Sequence, residues 1–154
     1  MKYYLRVFCQ NNDPIPPERI MEFIKDGFFF DKQPEMKLHK EDDRNWQLQI
    51  VYNKEKEPVI ISTSENDKAS QKELEEIKFV LRISKASETK DSISKLVDST
   101  TNVFTIEINQ DQMTDDCWEM LDATEAFIMR ECDGVLFTSD NEFFDTKLKK
   151  IYKL

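Results

Sequence analysis

Over residues 2–9, Tyr4, Arg6 and Phe8 alternate with Tyr3, Leu5 and Val7, a period of two. Aromatic and β-branched residues at that spacing predict a strand, and apolar side chains in both sets place it centrally in a sheet. Asn11-Asn12-Asp13-Pro14 breaks the pattern. Pro16-Pro17-Glu18 then begins a short helix with proline in its first turn, an inner face of Ile20, Phe23 and Ile24, and a stop at Asp26-Gly27. Phe28-Phe29-Phe30 reads as another apolar extended segment. Residues 33–43 are polar and hold Pro34, which predicts a loop with room for a short strand over residues 36–38.

Trp46, Leu48 and Ile50 alternate with Gln47, Gln49 and Val51, the pattern of a half-buried strand. Pro58-Val59-Ile60-Ile61-Ser62 returns as its hairpin partner, with proline at the first residue, where no ladder bond is lost. A helix capped by Asn66 or Asp67 runs to about Ser84, with Ser70, Leu74, Ile77, Leu81 and Ser84 on one face. Phe79, Ile83 and Ala86 fall on its other side, where burial beneath a neighbouring helix is expected and a partner surface is the alternative. A shorter helix over residues 88–98 turns Ile93, Leu96 and Val97 inward. Phe104, Ile106 and Ile108 alternate with Val103, Thr105 and Glu107 in a further strand. Thr114 caps the best-defined helix, Asp115 and Asp116 complement its dipole, and Cys117, Met120, Leu121, Thr124, Phe127 and Ile128 line its inner face. Asp133-Gly134 closes it, with the glycine expected in the left-handed conformation. Val135-Leu136-Phe137 starts the next strand, and Leu148, Ile151 and Tyr152 mark a last one.

The two ends share a plan: strand, polar loop, helix, Asp-Gly, three apolar residues. These elements predict one α+β domain over residues 1–154, a mixed or mostly antiparallel sheet with helices packed on it. It is built from split β-α-β units in the order β-α-β-β-β-α-α-β-α-β-β.

A chain of 154 residues is the size of one domain and buries roughly 70% of the surface it would expose unfolded. It therefore needs neither metal nor disulfide to hold together. Lys and Arg number 22 against 31 Asp and Glu, a net charge of −9. That field repels a phosphate backbone, and the short basic run of Lys147, Lys149, Lys150 and Lys153 does not reverse it. Nucleic acid is disfavoured as a partner, and a basic protein is favoured. No stretch has the apolar length of a membrane span, and the first residues do not read as a secretory leader, so a cytoplasmic protein is expected. Cys9, Cys117 and Cys132 lack metal-ligand spacing and read as small buried hydrophobes in a reducing compartment. On one continuous helix Cys117 and Cys132 would stand about 22 Å apart, too far to bond.

Catalytic chemistry finds few carriers. His39, the single histidine, sits in a polar stretch, and two glycines cannot build a nucleophile elbow or a phosphate-binding loop. Two acidic groups stand out. Asp115, Glu119 and Asp122 share the outer face of their helix, within about 60° at 100° per residue. The run Asp140-Asn141-Glu142-Phe143-Phe144-Asp145 carries oxygen donors suited to calcium or magnesium, but it lacks the full EF-hand pattern and reads as an acidic turn or loop. No cofactor or metal is expected. Trp46 and Trp118 are stacking residues for a ligand or, more simply, core side chains.

The ending, from Glu131-Cys132-Asp133-Gly134-Val135 through Phe143-Phe144-Asp145, resembles small uncharacterised bacterial α+β proteins, some of which look like immunity proteins that neutralise a toxin by binding it. The resemblance covers about the last 40 residues, transfers no functional residue, and implies a binding role. The expected function is a non-enzymatic module, monomeric or homodimeric. Its expected partner contacts are Asp140, Glu142, Phe143, Phe144 and Asp145, with Asp115, Glu119 and Asp122 on the helix. The alternative is a small carboxylate- or cation-dependent enzyme, which predicts a concave pocket with convergent acids.

Overall fold

The computed structural model describes residues 1–65 and 67–154. Its elements in chain order are β1 (Lys2–Cys9), α1 (Pro17–Asp26), β2 (Glu35–Asp42), β3 (Asn45–Val51), β4 (Val59–Thr63), α2 (Lys68–Ile83) and α3 (Glu88–Asp98). There follow β5 (Asn102–Asn109), a 3-10 turn (Gln110–Gln112), α4 (Asp115–Cys132), β6 (Val135–Thr138), β7 (Glu142–Phe144) and β8 (Lys150–Lys153). All eight strands join one antiparallel sheet in the order β2-β3-β4-β5-β1-β6-β7-β8. This is a single α+β domain with four helices packed on an open sheet.

Alternation decides which core each side chain joins. On β1, Leu5, Val7 and Cys9 enter the larger core with Trp46, Leu48, Ile50, Ile61, Phe104, Ile106 and the inner faces of α1 and α4. Phe8 faces the other way, into a smaller core with Val135, Phe137, Phe143 and the inner faces of α2 and α3. Arg6 shares that second face and is nearly buried. Its Nη1 donates to the hydroxyls of Ser70 (2.8 Å) and Thr105 (2.6 Å), and its Nε lies 3.0 Å from Glu73 Oε2. Arg6 thereby ties α2 to the central strand. Asp67, the described one of the two candidate caps, accepts from the Ala69 and Ser70 amides, while Asn66 lies outside the described residues.

Several expectations need correction. β5, α4 and β6 do form a split β-α-β unit, since β5 and β6 run the same way with β1 antiparallel between them. The N-terminal half does not repeat it: three strands separate β1 from β2, which lies at the sheet edge. Residues 28–30 are not a strand, because Phe28 turns the chain at φ 48°. Phe29 and Phe30 pack instead against Phe23 (6.2 Å between centroids) and Tyr52 (6.1 Å). The predicted loop over residues 33–43 contains the full edge strand β2, whose polarity follows from having Met36 and Leu38 on the core side and Lys37 and His39 in water.

At both Asp-Gly stops the left-handed residue is not the glycine; Phe28 takes it at the first and Asp133, at φ 52°, at the second. Gly134 is needed for space: a Cβ there would sit 2.7 Å from Val7 Cγ1 and 2.9 Å from Cys132 Sγ. The expected cover over the second stripe of α2 is missing among the described residues, with Phe79 56% and Ile83 69% exposed. The acidic and aromatic run is not all turn, because Glu142-Phe143-Phe144 forms β7 between β6 and β8.

Candidate functional site

Thr114 Oγ1 accepts the Cys117 amide at 3.2 Å, which starts α4 and sets the phase of its buried stripe. Glu125 lies four residues from both Leu121 and Met129, each fully buried, so helical geometry carries its carboxyl to the inner side. It is 2% exposed, and its Oε1 has no hydrogen-bond partner among the described residues. Beside it opens a cavity of about 250 Å³. At roughly 30 Å³ per water that is space for about eight waters, or one long side chain. β1 contributes Tyr3 and Leu5 to its lining, β6 Leu136 and Thr138, β7 Phe144, and α4 Trp118, Asp122 and Glu125. Gln110 from the 3-10 turn and Leu148 from the turn before β8 complete it, and Leu148 holds φ 58°, a strained conformation of the kind that collects at functional sites.

The electrostatics of the cavity are one-sided. Burial, reinforced by the neighbouring Asp122 charge, pushes the Glu125 carboxyl up to about 8, so it is protonated at neutral pH. Partial burial also raises Asp122, although that residue keeps much of its surface in water. Among the described residues no Lys, Arg or His lines the space. Tyr3 donates from its hydroxyl to Asp140 Oδ2 at 2.8 Å, which places a third carboxylate behind the phenol. A group carrying positive charge and some apolar length would find carboxyls for its head, with Trp118, Phe144 and Leu148 for its stem.

The expected contact residues separate into three sets. Asp122 and Phe144 line the cavity, and Asp140 joins it through Tyr3. Asp115 and Glu119 lie exposed on α4. The third set is engaged within the fold. Glu142 pairs with Lys150 at 3.4 Å, and Asp145 Oδ1 accepts from the Lys147 (2.9 Å) and Lys149 (3.0 Å) amides. Phe143 is wholly buried against Phe8 and Phe137, so it is a core residue and not a surface contact. Of the two tryptophans, Trp46 is buried beside Phe104 and Trp118 borders the cavity. His39 lies exposed on β2, on the sheet face away from α4.

Sequence reading passed over Glu125. The signal was a carboxylate at i+4 from Leu121 and i−4 from Met129, a charge set into an apolar stripe. A roomier cavity of about 580 Å³ near Arg44, Glu65, Asp67 and Ser70 is a weaker candidate, since its charged groups are engaged with one another or with the α2 cap. Among the described residues no three His, Cys, Asp or Glu side chains gather as a metal site, and no helix is long and apolar enough to cross a membrane. No protein-family model, curated protein or solved structure matches the chain.

Proposed function

We propose that this protein is a non-enzymatic binding module, immunity-like in its mode of action, that captures a basic partner by taking a lysine or arginine side chain into the Trp118–Glu125 cavity. The observation that carries this reading is the Glu125 carboxyl, buried without a partner at Oε1 beside a cavity of side-chain size. An unpartnered polar group in that position is costly in the free protein. An entering cation turns it into one half of an ion pair and releases its proton. The net charge of −9, with Asp115 and Glu119 exposed on the same helix, steers a basic surface toward the site.

The test uses N-acetyl-arginine and N-acetyl-lysine methylamides, with the glutamine analogue as the neutral control, followed by amide chemical shifts. Shifts centred on Trp118, Asp122, Glu125 and Phe144 for the cationic pair alone support the reading, and Asp122→Asn should weaken them. Equal shifts with the glutamine analogue, or none near α4 at millimolar ligand, would remove it.

A second reading, a small carboxylate-dependent enzyme, draws on the raised pKa values of Asp122 and Glu125 in one cavity. Against it, His39 is remote from the cavity, and among the described residues no Ser, Cys or Lys lines it as a nucleophile.

A further inference from the structure

Cys9 ends the central strand and Cys132 ends α4, yet their sulfurs lie 2.7 Å apart across 123 residues of sequence. A disulfide bond is about 2.04 Å long, so a displacement of about 0.7 Å separates this contact from a covalent one. The surrounding backbone holds the pair together. The amides of Gln10 and Asn11 both donate to the Cys132 carbonyl at 3.0 Å, and the backbone of Gly134 passes so close that a Cβ there would sit 2.9 Å from Cys132 Sγ and 3.2 Å from Phe8 O. Both thiols are 1% exposed, and Cys117 takes no part.

We infer that Cys9 and Cys132 are a dithiol poised to close into a disulfide, a modification site that would staple the central strand to the C-terminus of α4 with little movement of either. The oxidant is a small-molecule disulfide of the glutathione type. One protein thiolate attacks it, forming a mixed disulfide and expelling one small thiolate; the second protein thiolate then attacks the protein-side sulfur and expels the other. The protein loses two electrons and two protons, and the small disulfide is reduced to two thiols. Enclosure governs when this happens. The adjoining Cys132 sulfur and burial hold the Cys9 thiol far above its ordinary range, so in the closed fold Cys9 is not a reactive thiolate. Exchange runs while the chain is folding or when the end of α4 opens. The finished bond is then shielded from reductant by the same packing. The inference is independent of what occupies the cavity.

The experiment refolds the reduced full chain from urea in a series of glutathione redox buffers, traps free thiols with N-ethylmaleimide, and maps the peptides by mass. The expected product lacks two hydrogens, links the Cys9 and Cys132 peptides, and carries alkylated Cys117. Its thermal midpoint should exceed that of the reduced protein by on the order of 10 °C, given the length of the closed loop. Cys117→Ser should give the same cross-link. Alkylation of both Cys9 and Cys132 at every buffer ratio, mixed glutathione adducts without the internal bond, or pairing through Cys117 would each overturn the inference.

Discussion

Replacing Glu125 by glutamine keeps the shape of the side chain and removes its titration. In the unfolded chain this carboxyl ionises at the ordinary glutamate value of 4.5, whereas in the folded protein burial holds it up to about 8. Between those values the native state binds a proton that the unfolded state has released, so stability is highest at the acid end of the window and falls as pH rises through it. One unit of displacement is about 1.4 kcal/mol, so between pH 5 and pH 8 the wild type should lose about 3.5 kcal/mol that the Glu125→Gln variant keeps. Asp122, the nearby charge acting on Glu125, is raised by its own burial and remains in both proteins, so its titration largely cancels in the difference. The assay is urea unfolding of both proteins at pH 5, 6, 7 and 8. The stability of Glu125→Gln minus that of wild type should climb steadily and flatten near pH 8. A difference constant within about 0.5 kcal/mol would show Glu125 ionised and hydrated in the native state, and with it would go the partnerless carboxyl on which the binding proposal stands.

Two further outcomes follow from packing. Gly134→Ala should lose about 1–3 kcal/mol in urea unfolding, because its Cβ would press on Val7 Cγ1, Cys132 Sγ and the Phe8 carbonyl; an unchanged midpoint would mean that the end of α4 yields freely. The double variant Phe79→Ser, Ile83→Ser should stay within about 0.5 kcal/mol per site of wild type at low concentration, as exposed side chains do. If light scattering finds a dimer that this variant lacks, the α2 stripe is its interface; a large loss in the monomer would show the two residues covered.

Much of the secondary structure was legible because its signals are local. Thr114 reaches only to the Cys117 amide, and Trp46-Gln47-Leu48-Gln49-Ile50 declares its buried face within five residues. The failures came where a local signal was overruled from a distance. Residues 33–43 looked like loop because an edge strand with one wet face needs few apolar side chains. Phe143 looked like a surface residue because nothing near it in sequence announces β6 and β8 on either side. The Asp-Gly plan shared by the two ends suggested two split β-α-β units, and strand order bears out only the second.

The amino-acid pattern was enough to establish an acidic α+β domain and the phases of its helices. Periodicity and capping operate within a few residues, so they survive reading in one dimension. Strand order, the cavity drawn from β1, β6, β7 and α4, and the Cys9–Cys132 contact belong to the folded chain alone. Each joins residues more than a hundred positions apart, and such meetings are set by which strands pair and which faces bury together.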